Sequence, residues 1–336
     1  MSCTIKDIAK DTGLSIATIS KYLNGKKILA DNKPIIEASI KKLGYVPNKT
    51  AQVLRSHKTN TICVLIPDAG DYFWGPLCGF IEEALQKNNY STIISSYNPQ
   101  ITESSDEFRF LISSQIDGVL FVPRDQASFH LAILMRNANI PFVYLDQLFE
   151  NPLSDAVTST NYQASFDIME YLIQHGHQQI GIISGNYNSY TIRERYEGCK
   201  DAYIKNGFSE KDLLFLSGKF SAASGAKLFK KMISSPNPPT AVFMLGCNLT
   251  LGAILELNNL GLSLPDDLSL VSFDDDQIFS AFDPPITCMV QDFSEIARES
   301  VDLLLRRISG DEEGFPETKM VPTHFMERSS VKSILS

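Results

Sequence analysis

The stretch from Thr4 to Asn24, TIKDIAKDTGLSIATISKYLN, constrains this chain more than any other. Thr4 precedes the first apolar periodic positions and Asp7 follows three residues later, the spacing of a capping box. Ile5, Ile8 and Ala9 fall on one helical face. Gly13 stands at the turn, because a residue without Cβ takes positive φ at little cost. Ser15 is placed to cap a second helix whose inward positions are Ala17 or Thr18, Ile19 and Leu23. Two capped helices around a glycine turn make a helix-turn-helix. The second helix of such a pair is expected in a DNA major groove, with its N-terminal side chains at the base edges.

Charge supports that expectation only when it is read by segment. The 336 residues carry a formal net charge of −9. The first 60 hold eleven Lys and Arg against four Asp and Glu, a surplus of seven, so the remainder carries −16. A basic head on an acidic body is the asymmetry expected when one module meets phosphate. At 43% hydrophobic and 21% charged, the chain reads as two or three globular domains. The six cysteines are widely spaced, with no Cys-x-x-Cys, and read as small core hydrophobes rather than as a zinc site or disulfide framework. No signal peptide or membrane-length apolar run appears, so a cytoplasmic protein with no membrane partner is expected.

After Asn24 a third helix is predicted from about Asp31 to Leu43. Asp31 would cap it, Pro34 is tolerated in its first turn, and Gly44 would end it. Ile35, Ile36, Ile40 and Leu43 would close a small three-helix core. Asn48 can cap a short helix from Lys49 to Arg55, too short to be stable in water alone because nucleation is costly.

From Thr61 strands and helices alternate. ICVLI is a continuous apolar run, as in a strand buried on both faces. Predicted helices follow at about Pro76–Lys87, Glu103–Ser113 and Phe129–Asn137, with strands at Thr92–Ile94, Gly118–Val122 and Phe142–Leu145. A second series is predicted to start near Ala156, with helices at about Tyr162–His175, Arg193–Asn206, Ala222–Ile233 and Leu249–Leu260. Its strands fall at about Ile180–Ile183, Ala241–Met244 and Leu270–Phe273. A long helix, Phe293–Ile308, and one strand near Lys319–Phe325 finish the chain. Two such series imply two parallel-sheet lobes, with a ligand site in the cleft at the strand carboxyl ends.

TIKDIAKDTGLSIATISKYLNG, followed by LGYVPNKTAQVLRS, resembles the head of the lac/gal repressor family of bacterial transcription regulators, and the likeness continues more loosely to the end. The resemblance implies an α/β chain with an all-α helix-turn-helix head at 1–46 and a hinge helix and linker at 47–60. A two-lobed, periplasmic-binding-protein-like body would occupy 61–336. Lobe 1 would take about 61–160 plus 291–320, and lobe 2 about 161–290 plus 321–336, with three crossings between them. It also implies a homodimer on a pseudo-palindromic double-stranded DNA operator, controlling a catabolic operon. Affinity would be switched by a small-molecule effector, a carbohydrate or sugar derivative.

Ile16 and Ala17 match the family's main specificity positions; neither can hydrogen-bond, so they would read thymine methyls. Lys21 replaces the usual arginine, keeping charge but losing the fork to guanine. Thr18 and Tyr22 would contact phosphate. Leu54 matches the leucine that wedges into the minor groove, with Ala51 beside it; the alternative for Leu54 is a linker hydrophobe packed on the body. Thr4, Ser15, Ser20, Asn24, Tyr45, Asn48 and Arg55 complete the candidate DNA contacts. Ala30 and Lys33 stand where the family has a serine cap and a threonine.

For the effector, Tyr72, Phe73 and Trp74 form an aromatic cluster after the first strand, suited to a sugar face or a purine ring, or else to local core packing. Asp146 ends the strand VYLD. Arg195 would make a forked contact to ligand oxygens, or else a surface ion pair with Glu194 or Glu197. Phe220 and Phe293 are expected near the ligand, and Asp274 with Asp275 matches an acidic motif that binds ligand hydroxyls. Adjacent carboxylates point to opposite sides of a strand, which disfavours a metal at Asp274–Asp276. Gly246-Cys247-Asn248 replaces the family's Asn-Asp pair, leaving Asn248 as the polar candidate there. No G-x-S-x-G, P-loop or His-Glu-x-x-His occurs, and His175 and His177 read as a helix end, so neither an enzyme nor a cofactor is expected. The rivals are a transport-type sugar-binding protein, which leaves the basic head unexplained, and a DNA-binding protein whose body only dimerises or binds a co-regulator.

Overall fold

Side chains on alternate residues of the first body strand go to opposite faces, and both faces of this strand are apolar. In the computed structural model Ile62, Val64 and Ile66 join one core cluster with Leu77, Ile81, Val301 and Leu304. Cys63 and Leu65 join another with Leu131, Met135 and Tyr144. That period of two makes the strand an inner member of a sheet covered on both sides by helices. The structure describes residues 3–23, 27–45, 58–71, 73–97, 109, 111, 113, 116–124 and 128–335. Contacts divide the chain into two units, 1–59 and 60–336.

The first unit holds α1 (Ile5–Thr12), α2 (Ile16–Leu23) and α3 (Asn32–Leu43) around Ile8, Ile19, Ile36 and Tyr45. The Asp7 carboxylate accepts from the Thr4 N–H at 2.8 Å and the Thr4 hydroxyl at 2.7 Å. Gly13 ends α1 at φ 72°. The Ser15 hydroxyl accepts the Thr18 N–H at 3.1 Å. Two expectations need correction. Asp31 has helical dihedrals and makes no side-chain cap. Ile35 is 47% exposed; α3 buries Ile36 and Ser39, and the Ser39 hydroxyl donates to Asp11 at 2.7 Å and so ties α3 to α1.

The second unit runs β1 (Thr61–Ile66), α4 (Trp74–Lys87), β2 (Ser91–Ser96), β3 (Gly118–Phe121), α5 (Phe129–Asn137), β4 (Phe142–Leu145) and β5 (Asp155–Ser159). Next come α6 (Asn161–Gln174), β6 (Ile180–Ser184), α7 (Tyr190–Lys205), β7 (Leu214–Ser217), α8 (Ala222–Ile233), β8 (Ala241–Met244) and α9 (Cys247–Leu260). The remainder is β9 (Ser269–Phe273), α10 (Gln277–Ala281), β10 (Thr287–Gln291), α11 (Phe293–Ser309), β11 (Thr318–Val321) and β12 (Thr323–Met326). One sheet has the order β11-β5-β4-β3-β1-β2 and the other β12-β10-β9-β8-β6-β7. Every pair is parallel except β10 with β12.

The chain passes between sheets at 160, 292 and 322. The segment read as the start of the second series, near Ala156, instead completes the first sheet, as β5 between β4 and β11. The single expected C-terminal strand is two strands in different sheets. Pro322 lies between them, where it brings no N–H to a ladder. Strands β7 and β10 were not anticipated; β7 is a half-exposed edge, and TCMVQ lacks an apolar run. The hinge segment 49–55 and most of the helix expected at Glu103–Ser113 lie outside the described residues. Among the described residues no helix is long and apolar enough to cross a membrane. All six cysteines are free, and five are buried.

Candidate functional site

The outward face of α2 follows from its inward one. Ile19 is fully buried, which leaves Ile16 (50% exposed), Ala17 and Lys21 in solvent. Ser15 and Thr18 share a hydroxyl contact of 2.9 Å beside them. Ser20 is half-buried. Two candidates are placed differently from expectation. The Tyr22 hydroxyl donates to Glu37 on α3 at 2.8 Å, so it braces the fold instead of standing free for phosphate. Tyr45 is only 8% exposed, because its ring closes the three-helix core. Asn24, Asn48, Ala51, Leu54 and Arg55 lie outside the described residues.

Between the two sheets of the body lies a cavity of roughly 530 Å³, at the carboxyl ends of β1, β4, β8 and β9. Phe73, Trp74, Asp146, Arg195, Phe220, Asn248 and Asp274 all line it. Tyr72 lies outside the described residues. Phe293 is not on the wall; it packs edge-on behind Phe73 at 5.1 Å, where the crossover into α11 delivers it.

Arg195 is 4% exposed, which removes its reading as a surface ion pair. Its Nε donates to Asn161 Oδ1 at 2.7 Å and its Nη1 to the Leu245 carbonyl at 3.2 Å. The guanidinium lies 3.5 Å over the Phe273 ring, with Nη1 3.8 Å from Asp274 Oδ2. Asp274 and Asp146 both sit at positive φ, 72° and 65°, where the chain turns sharply out of its strand. Gln291 Nε2 donates to Asp274 at 2.6 Å, and Ser159 donates to the Gln291 carbonyl at 2.5 Å, so two crossover segments reach the site. Burial pushes the carboxyls of Asp71 and Asp274 up; Arg195, then Gln291, draws Asp274 back.

The three consecutive aspartates have separate tasks. Asp274 faces the cavity, Asp275 is held by both Arg328 terminal nitrogens at 2.8 and 2.6 Å, and Asp276 caps α10. Among the described residues no group of His, Cys, Asp and Glu is arranged for a metal ion. The helix ends at His175, as expected, and His177 just beyond it is buried, pinned between Thr240 and the Lys332 carbonyl, with burial lowering its pKa.

Sequence reading missed the bonds that cross the cleft. Asn248 donates to Asp71 at 2.9 Å. Gln147 Nε2 meets Asp146 at 3.0 Å and the Ser189 and Thr191 hydroxyls at 2.9 Å each, while its carbonyl accepts the Tyr190 N–H at 2.9 Å. The only local signals were Gln147's place directly after a strand-end aspartate and a Ser-x-Thr at the start of α7. Gly246 also gains a reason. A Cβ there would stand 3.0 Å from the Phe220 ring, so glycine leaves room for that ring over the cavity.

Burial raises Asp146 to about 6, with Asp274 and Asp71 adding to the rise and Arg195 opposing it. An acid that holds its proton more tightly when folded loses stability as pH rises from its unfolded value, near 4, through 6. The loss is on the order of 3 kcal/mol. Urea unfolding between pH 4 and 7 is expected to show this fall in the native chain and to lose it in Asp146→Asn.

Residues 4–48 match the family described as bacterial regulatory proteins, lacI family, and residues 169–331 match the periplasmic binding protein-like domain. The chain is 28% identical over 333 residues to a protein described as HTH-type transcriptional repressor PurR from Pasteurella multocida, covering 99% of each. A LacI family transcriptional regulator from Enterococcus faecium, solved with bound ribose, superposes with a TM-score of 0.74 at 27% identity, over 82% of this chain and all of that one. A lac repressor dimer bound to operator and the anti-inducer ONPF shares the fold, with a TM-score of 0.84 at 23% identity over 99% of this chain and all of that one. The helix-turn-helix, the two-sheet body and these likenesses give the chain a lacI-family head and a periplasmic-binding-protein-like body, the parts of a DNA-binding regulator of transcription and not of an enzyme.

Proposed function

We propose that this chain is a cytoplasmic repressor that binds a pseudo-palindromic operator as a homodimer and is switched by a small hydroxylated effector in the body cavity. The head, 1–46, supplies base contacts; 47–60 links it to the body; 61–336 senses and dimerises. The observation that carries the DNA reading is the outward face of α2: Ile16, Ala17 and Lys21 stand exposed opposite a fully buried Ile19. Two apolar side chains select thymine methyls, and the lysine donates to guanine. Lys21→Ala is expected to cost operator binding on the order of 1–3 kcal/mol while changing binding to random duplex far less. Selection from random duplexes, followed by titration of operator and scrambled DNA, reads this out. Equal losses on both would reassign Lys21 to phosphate.

A sugar or sugar derivative is the favoured effector class, and a catabolic operon the favoured target. Carboxylates that accept from hydroxyls, a buried arginine that donates to them, and aromatic faces suited to C–H surfaces share one cavity. The ribose held by the Enterococcus faecium relative supports this reading. Differential affinity of such a ligand for two arrangements of the lobes would bias DNA binding. A flat heterocycle is the second reading, favoured by the Phe220 ring, which remains 41% exposed over the cavity. Adenine and hypoxanthine therefore belong beside pentoses and hexoses in the ligand panel.

A further inference from the structure

The inner wall of the cavity is unbalanced in charge. Asp71, Asp146 and Asp274 face it, and Arg195 is the one buried cation among its described lining residues; Arg124 and Lys219 are exposed at the rim, as is Asp68. Each of the three carboxylates is oriented by a neutral carboxamide. Asn248 holds Asp71 at 2.9 Å, Gln147 holds Asp146 at 3.0 Å, and Gln291 holds Asp274 at 2.6 Å. An amide fixes the direction of a carboxylate without cancelling its charge. Arg195 lies nearest Asp274 and is also committed to Asn161 and the Leu245 carbonyl. Asp71 forms no ion pair among the described residues; its Oδ1 takes the Phe73 N–H at 3.0 Å and the Asn248 amide.

A second, independent feature points the same way. The rings of Phe73, Trp74 and Phe220 border the same space. Carboxylates together with aromatic faces favour a cation over an anion, because the faces carry the negative end of the ring quadrupole. A neutral sugar would satisfy hydroxyl contacts and leave two negative charges uncompensated in an enclosed site.

We propose that the ligand of this cavity carries a protonated amino group beside its hydroxyls, an amino sugar being the chemical class, with the ammonium held by Asp71 under the aromatic rings. This rests on the reading of the cavity as the effector site. The ammonium supplies one of the two missing positive charges, at Asp71, and the hydroxyls meet Arg195 and Asp274.

Matched pairs test it on the full-length chain: D-glucosamine against D-glucose, and D-galactosamine against D-galactose, with N-acetylglucosamine as the neutral nitrogen control. Fluorescence of Trp74, the single tryptophan, and the thermal midpoint are followed. The amine of at least one pair is expected to bind about tenfold to a hundredfold more tightly than its neutral parent, as a charge-assisted contact should. N-acetylation is expected to abolish that gain, and Asp71→Asn to equalise the pair while leaving the far-ultraviolet spectrum unchanged. Neutral sugars that bind as tightly as their amines, or more tightly, would overturn the proposal and leave the effector site standing. If no member of either pair bound, while adenine or hypoxanthine did, the amino-sugar proposal and the sugar reading would both fall.

Discussion

Arg307→Met is expected to cost the body about 3–5 kcal/mol of stability, because it strands a carboxylate in the core. Asp155 opens β5 with its side chain fully buried, and the Arg307 side chain is 4% exposed. The guanidinium grips both Asp155 oxygens, at 2.7 and 3.1 Å, and also donates to the Asp311 carbonyl at 2.6 Å. The Glu317 N–H adds a third donor to Asp155 at 2.6 Å. That cluster joins α11, the loop after it and β5 in one knot beneath the first sheet. Removing the cation leaves a carboxylate that is fully buried in the native fold without its counter-charge. For a body of this size the midpoint of thermal unfolding should drop by roughly 6–15 °C. Adding Asp155→Asn to the same chain should return part of the loss, since the charge that needed the arginine is then gone. A drop of less than 2 °C in the single variant would show that the pair is not the support described.

The pairing of residues 155 and 307 was not legible in the sequence, and the reason is general to this fold. Local rules read what local forces decide. Caps, a glycine turn and 3.6-residue periodicity located α1 and α2, and continuous apolar runs located the inner strands. Strand ends told where ligands gather, so Asp146 and Asp274 could be picked singly. The bonds that give the site its character link distant segments: Asp71 to Asn248, Gln147 to Ser189 and Thr191, Gln291 to Asp274. Nothing in the spacing of those residues announces them. Phe293 shows the reverse error. It is expected near the ligand, but it lies at a crossover between the sheets, which brings a residue near the cleft without turning its ring into it. Pro322 was the one visible sign that the last strand is two, and its weight is clear only once two sheets compete for the chain.

Arg195→Met should be the most damaging change at the cleft, and its cost should depend on pH. Among the described residues the Arg195 guanidinium is the one cation paired with buried Asp274, at 3.8 Å, and it also satisfies Asn161 and the Leu245 carbonyl. Methionine fills much of the volume over Phe273 but supplies neither charge nor donors. At pH 7 the loss is expected to be about 3–5 kcal/mol, the cost of breaking one side of a buried pair. Burial already pushes Asp274 up, and Arg195 is the largest influence holding it down. Without the arginine the carboxyl rises further and takes up a proton at milder pH. A raised acid pKa gives stability that is present when the group is protonated and lost as pH rises. The deficit of the variant relative to the native chain should therefore shrink between pH 7 and pH 5, and urea unfolding at the two values reads it directly. Arg195→Met with Asp274→Asn should lose the part of that pH dependence which Asp274 carries, keep the part from Asp146, which Arg195 also holds down, and recover part of the stability. Under the proposed function both variants also lose the ligand response of Trp74, because the donor that meets ligand hydroxyls is absent in each. A variant that kept native stability at pH 7 would mean that Asp274 is already protonated in the native cleft, and the charge count on which the amino-sugar proposal rests would fall with it.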